Sequence, residues 1–192
     1  MEYRKLYEVA ETKFCANSPG RVKTQNISTF WTAPSNFLKN NTVSNTFTQS
    51  NCVGDDCFII KTGDIIIKRI EPTFVNYIDT FPHGIYAGNN LIIVTARQNI
   101  YPKYLAMILN EIIATATSVS SYGAVMKSIG RSELDNLKIP LLDYTKQILL
   151  GNLWYENIEL EKLKVRLAER EQIKNSILIK QYIKSCGGNN NG

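Results

Sequence analysis

From Asp143 to Lys184 the chain runs without a proline and with one glycine, Gly151. No other stretch restricts the possible folds so strongly. Asp143 is placed to cap a helix, because a short carboxylate accepts from free N–H groups of a first turn. Gly187 and Gly188 are the stop. Leu149, Leu153, Leu160, Leu163, Leu167 and Ile177 fall at helical steps on one stripe, with Lys, Arg and Glu around them. A helix of roughly 40 residues is about 60 Å long, too long for a small domain to bury. The expectation is a protruding helix whose stripe is covered by another helix in a coiled coil. The competing expectation is a terminal helix that packs back on its own domain. The register falters at Arg170 and Lys174.

The rest of the 192 residues suffices for one domain. The expected organisation is a compact domain over 1–142, the long helix over 143–186 and a disordered Gly/Asn-rich tail over 187–192. No window approaches the roughly 20 apolar residues of a membrane span, and the charged start, MEYRKLYEVAE, lacks the apolar core of a signal peptide. A cytoplasmic protein with no membrane partner is expected. The four cysteines, Cys15, Cys52, Cys57 and Cys186, have no metal-ligand spacing and are expected as free thiols. A net charge of +5 and a pI near 9.0 permit a polyanion partner without demonstrating one.

Along the chain, Leu6, Tyr7 and Val9 suggest a first short element. Ser18-Pro19-Gly20 breaks a turn over 17–23. Thr29-Phe30-Trp31 reads as a strand. The Asn-rich run from Pro34 to Ser50 reads as surface loops and short strands, either a floppy insertion or a recognition surface, since amides both donate to and accept from base edges. Cys57 to Ile60, Ile65 to Ile67, Asn76 to Asp79 and Leu91 to Val94 read as strands, with Thr62-Gly63-Asp64 as a turn. Pro102 opens a helix on which Tyr104, Leu105, Ile108, Leu109, Ile112 and Ile113 keep a 3.6-residue period. Residues 118–129 read as a loop. Ser132 is expected to cap a short turn, and Leu137 to Pro140 is expected as an edge strand. The fold class is therefore α+β: a mixed domain with a curved sheet and short helices, followed by a long coiled-coil-type helix.

No catalytic set emerges. His83, the only histidine, lies between Pro82 and Gly84 in a turn. There is no Gly-rich phosphate loop, no zinc-protease motif and no nucleophile elbow. Asp55 and Asp56 have no third partner for a metal. A non-catalytic binding protein with no cofactor and no metal is expected. The basic residues are more informative. Arg21, Lys23, Lys39, Lys68, Arg69, Lys127 and Arg131 sit on loops or strand ends, where several together make a phosphate-contacting surface and singly are solvated charges. Trp31, Tyr77, Tyr86 and Tyr122 offer packing or apolar base contacts. The candidate DNA-contacting set, chosen by loop position and residue type, is Arg21, Lys23, Trp31, Asn36, Lys39, Lys68, Arg69, Tyr122, Lys127 and Arg131.

The order of motifs is itself distinctive. Gly63-Asp-Ile-Ile-Ile67 is followed by Leu91-Ile-Ile-Val94 and by a Tyr-Leu-x-x-x-Leu-Asn helix over Tyr104–Asn110. Gly-x-x-Met-x-x-Ile over Gly123–Ile129 comes next. Leu-x-x-Leu-x-Ile-Pro over Leu134–Pro140 follows, then Gln-x-x-Leu over Gln147–Leu150 at the start of the long helix. Over roughly residues 57–184 this resembles the specificity subunit of type I restriction–modification systems. The start of the helix departs from that family, which has a proline-rich segment and Glu-Gln where this chain has Leu141-Leu142-Asp143 and Lys146-Gln147.

The resemblance implies a target-recognition domain over 1–142 and a spacer helix over 143–186. Since the family's full subunit has two such domains and two long helices, it implies a half-subunit that forms a homodimer through Leu149, Leu153, Leu160, Leu163, Leu167 and Ile177. The implied partners are double-stranded DNA with a bipartite target and modification subunits that carry S-adenosylmethionine and methylate adenine. A restriction subunit that cleaves DNA is a further implied partner. Two other readings stand beside it. One is a non-catalytic coiled-coil interaction protein or a regulatory orphan fragment of such a system. The other is an enzyme with a shallow site.

Overall fold

The computed structural model describes residues 2–16, 24–52, 58–119 and 128–187. The class is α+β, as expected. The chain divides into two compact units, Met1–Tyr155 and Glu156–Gly192.

The first unit is built on a four-stranded sheet in the order β2-β10-β7-β8, with β2 at Ala10–Phe14, β7 at Ile65–Lys68, β8 at Val75–Tyr77 and β10 at Leu91–Ala96. All its pairings are antiparallel. Ile65, Ile66 and Ile67 are each 0% exposed, so this strand is covered on both faces, as its unbroken β-branched run predicts. Alternation sends Ile65, Ile67, Ile92 and Val94 to one apolar cluster and Ile66, Leu91 and Ile93 to a second.

The first cluster is closed by two helices, α1 (Leu6–Val9) and α2 (Pro102–Val119). Helix α2 begins at the proline that the sequence places in its first turn, and Leu105, Leu109 and Ile113 are buried. Strand β1 (Glu2–Lys5) pairs with β11 (Lys138–Leu141) in a two-stranded sheet, and Pro140 lies opposite Tyr3 in that ladder. The strand thus extends one residue beyond the proline expected to end it. Between α2 and β11 lies α3 (Arg131–Asp135). Its N-cap is Gly130, not Ser132, which sits inside the helix. Glu133 turns back to accept from the Gly130 N–H at 3.4 Å, which fixes the start two residues earlier than the hydroxyl suggested.

The second cluster is covered by Phe37, Ile60 and Ala87. Phe37 opens the β4–β5 hairpin (Phe37–Leu38, Thr42–Val43), and Ala87 ends β9 (Ile85–Ala87). A three-stranded sheet runs β6-β3-β9, with β3 at Thr24–Thr32 and β6 at Thr48–Cys52. The β3–β9 pair is parallel. Trp31 stacks on Tyr86 at 4.9 Å.

The Asn-rich run is not a floppy insertion. Asn40 and Asn41 adopt φ of 56° and 50° in the hairpin turn, a conformation asparagine tolerates better than most residues. The Asn41 side chain then accepts from the Tyr77 N–H at 2.5 Å. Asn76, 0% exposed, donates to the Leu38 and Thr42 carbonyls. These amides dock the hairpin onto β8.

The second unit consists of the later turns of α4 (Tyr144–Gly187). The Lys146 N–H donates to the Asp143 carboxylate at 3.1 Å, the expected cap. From Leu163 to Ser185 every side chain is exposed. Gly188 and the tail lie outside the described residues, as do Cys57 and the turn over 17–23. Among the described residues, no helix is long and apolar enough to cross a membrane.

Candidate nucleic-acid interface

Four segments meet at the Leu91 end of the four-stranded sheet. Strand β2 arrives with Phe14 opposite Ile92, and β7 with Lys68 opposite Leu91. Beyond the ladder the Arg69 N–H donates to the Asn90 carbonyl at 2.9 Å. Asn90, at φ 64°, lies in the turn that leads from β9 into β10. Ile70 bridges Ser128, and the Ile129 N–H donates to the Arg69 carbonyl at 3.3 Å. Helix α3 then starts at Arg131.

This convergence gathers cations. Facing strand partners share a side of the sheet, so Phe14 lies with Ile92 on the first cluster's side and Lys68 with Leu91 on the second's. The Arg131 guanidinium carbon is 4.4 Å from the centre of the Phe14 ring, and that of Arg69 is 5.9 Å from it. The Arg69 Nε donates to the Ile129 carbonyl at 3.1 Å. Lys68 Nζ lies 5.4 Å from the Phe74 ring. Among the described residues, none of these three cations has a carboxylate partner. Aromatic faces position them, leaving their charge free for phosphate oxygens.

Of the ten residues chosen from sequence, the fold therefore brings Lys68, Arg69 and Arg131 to one end of the sheet, the two arginines on one side of it and Lys68 on the other. Lys39 is exposed in the β4–β5 hairpin. Arg21, Lys23, Tyr122 and Lys127 lie outside the described residues. Two assignments need correction. Trp31 is 1% exposed, and its indole N–H donates to the Thr29 hydroxyl at 3.0 Å, so it is a core residue. Asn36 is 4% exposed; its carbonyl accepts from the Ala33 N–H at 2.7 Å and its NH2 donates to the Thr46 carbonyl at 2.6 Å. No amide atom of Asn36 is left to read a base.

The exposed counterparts are Phe30 and Gln49, which face each other across β3 and β6. Gln49 donates to the Ser28 hydroxyl at 2.7 Å. Sequence reasoning missed both, and it missed Phe14. Period-two alternation says that Phe30 and Trp31 point opposite ways, but not which way is in.

The other end of β7 carries Asp64, 4% exposed. Its carboxylate accepts from the Thr95 hydroxyl at 2.7 Å and from the Lys61 N–H at 2.8 Å, closing the Thr62-Gly63 turn. Burial pushes its carboxyl above the usual range; the two hydrogen bonds and the nearby Lys13 and Lys61 charges offset part of that rise. A raised acid pKa means the folded state binds the proton more tightly than the unfolded chain. Stability is therefore lost as pH rises from the ordinary carboxylate pKa, about 4, through the raised one. Asp64→Asn should remove this loss. Melting curves from about pH 3.5 to 6.5 should show the melting temperature of the unsubstituted protein falling, relative to that of the variant, with rising pH. A constant difference would assign the titration elsewhere.

No family model matches the chain, and no curated protein matches it in sequence. Solved structures do. The HsdS subunit from Thermoanaerobacter tengcongensis matches with a TM-score of 0.62 at 16% identity, over 87% of this chain and 39% of that one. The fold is that of a type I specificity subunit. A chain from a structural study of the assembly and conformational transition of the type I R-M system matches with a TM-score of 0.60 at 16% identity, over 94% of this chain and 43% of that one. The type I restriction–modification S subunit from M. genitalium gives 0.56 at 12%, over 92% and 44%. This chain thus spans about two fifths of the length of the solved chains it matches. The resemblance seen in the motif order extends to the backbone.

Proposed function

We propose that this protein is a DNA sequence-specificity subunit of a type I restriction–modification system. In this reading the first unit recognises one half of a bipartite target. The chain performs no chemistry itself, and it directs an adenine methyltransferase, and a restriction subunit where present, to the site in the cytoplasm. The observation that carries the reading is the specificity-subunit fold over 87–94% of the chain. Lys68, Arg69 and Arg131, at one sheet end and without a carboxylate partner among the described residues, support a phosphate contact there, and Lys39, Arg21, Lys23, Tyr122 and Lys127 remain candidates from their residue type.

The pairing of α4 with the helix of a second copy is part of the same proposal. Leu149, Leu153, Leu160, Leu163, Leu167 and Ile177 are 49–66% exposed, a stripe that water alone does not favour. A two-fold pair would read an inverted repeat with a fixed gap. The same stripe also suits a coiled-coil interaction protein without a DNA target, the second reading.

Affinity purification from the native cell with stoichiometric mass spectrometry tests the proposal. An adenine methyltransferase in equal copy number, with methylation at a bipartite motif, is expected. Purification without a methyltransferase, together with no sequence-dependent DNA binding, would favour the interaction protein. Combined Leu160→Asp, Leu163→Asp and Leu167→Asp should abolish the dimer. Each buried leucine contributes about 1.5–3 kcal/mol and every 1.4 kcal/mol is tenfold. Dimer affinity should therefore fall by about a thousandfold or more, read as a halved mass by sedimentation. A surviving dimer would move the interface off the stripe.

A further inference from the structure

We propose that Phe14 is a positioning residue that holds Arg69 and Arg131 as a two-guanidinium clamp for a backbone phosphate of duplex DNA. The inference rests on the DNA-binding reading above and adds to it a residue and a contact class.

The clamp is built from three observations. The ring is fixed: Phe14 ends β2, lies opposite Ile92 and packs against the first apolar cluster. Both guanidinium groups address that one ring, at 4.4 and 5.9 Å. The carboxylates nearest Arg131 in sequence are engaged elsewhere. Asp135 accepts from the Thr12 hydroxyl at 2.8 Å, and Glu133 accepts from the Gly130 N–H.

Among the described residues neither guanidinium has a counter-ion; two like charges held together repel each other, and a phosphate relieves that repulsion. Arginine suits this role because its planar fork can stack on a ring and still present N–H groups to two oxygens. Among the described residues Arg69 spends only Nε, on the Ile129 carbonyl, which leaves its terminal nitrogens for an anion. A phosphate contact sets register and orientation without reading sequence. Its loss should weaken binding to all duplexes alike.

The test is fluorescence anisotropy on the full chain with mixed-sequence duplex DNA across a salt series, with thermal melts of every variant. Arg131→Ala should lower affinity about tenfold and reduce the slope of log affinity against log salt by about 1. Phe14→Leu keeps an apolar side chain but removes the π face, and should lower affinity about three- to fivefold. Phe14→Tyr should bind like the unsubstituted protein. If Phe14→Leu does not fold, Arg131→Lys serves instead: charge is kept, planar stacking is lost, and affinity should fall with the salt slope unchanged. Wild-type affinity and slope in Arg131→Ala, or wild-type affinity in a folded Phe14→Leu, would overturn the clamp and leave the DNA-binding reading intact. Inorganic tripolyphosphate separates the converse case. Its Arg131-dependent binding by a protein that binds no duplex would overturn the DNA reading and keep an anion clamp. Binding of neither probe would overturn the clamp.

Discussion

Replacing Gly88 with alanine is expected to lower the unfolding free energy by about 3 kcal/mol or more, at the upper end of what overpacking costs. A Cβ at Gly88 would stand 2.1 Å from the carbonyl oxygen of Thr32 and 3.3 Å from its carbonyl carbon. Both belong to the β3 backbone, so no side-chain rotation can relieve the overlap. The neighbouring residue, Ala87, is paired with Thr32 in the parallel β3–β9 ladder. Accommodating the methyl group would require those strands to part, and with them the Trp31–Tyr86 stack. A drop of about 6–12 °C in melting temperature is expected for a chain of this size. An unchanged melting temperature would mean that the two backbones are not in close contact.

Gly151→Ala should also destabilise, although the usual sign for this change within a helix is the opposite. An exposed helical glycine replaced with alanine gains about 1 kcal/mol from backbone entropy. Here the added Cβ would lie 2.5 Å from the backbone nitrogen of Tyr104, 3.0 Å from the carbonyl carbon of Lys103 and 3.0 Å from the Tyr101 ring. Gly151 therefore lets α4 approach the start of α2 at backbone distance. The contact is held by Gln147, 2% exposed, whose carbonyl accepts from the Tyr101 N–H at 2.9 Å and whose NH2 donates to the Leu142 carbonyl at 2.9 Å. The Tyr101 hydroxyl donates to Asn152 at 2.7 Å. A net loss of about 2 kcal/mol, or about 4–8 °C, is expected, because the overlap outweighs the propensity gain. A rise in melting temperature would show that α4 can move off α2 at little cost.

Both glycines show where local pattern stops being informative. In sequence, Gly151 is only a weak point in a long helical stretch, and Gly88 is punctuation before Asn89-Asn90. The asparagines behave alike: Asn40, Asn41, Asn90 and Asn99 all adopt positive φ, and Asn36 and Asn76 hold loops together from within. A surface-recognition reading of that composition is natural, because a side chain suited to base edges is equally suited to backbone groups. Nothing local distinguishes the two uses.

Periodicity along one chain was sufficient for the elements themselves. The β-branched runs became β7 and β10, Pro102 began α2, Asp143 capped α4, and the leucine stripe could be assigned to one helical face. These outcomes depend on interactions within a few residues, and the order of the motifs carried the fold with them. What only the tertiary structure decided was which residues from distant segments share a location. Phe14, Arg69 and Arg131 converge because β2 and β7 flank β10 and the Ser128–Ile70 bridge brings α3 alongside. Phe30 faces outward and Trp31 inward, where its ring is buried against Tyr86. Strand pairing and burial set those placements, and both are properties of the whole packed chain.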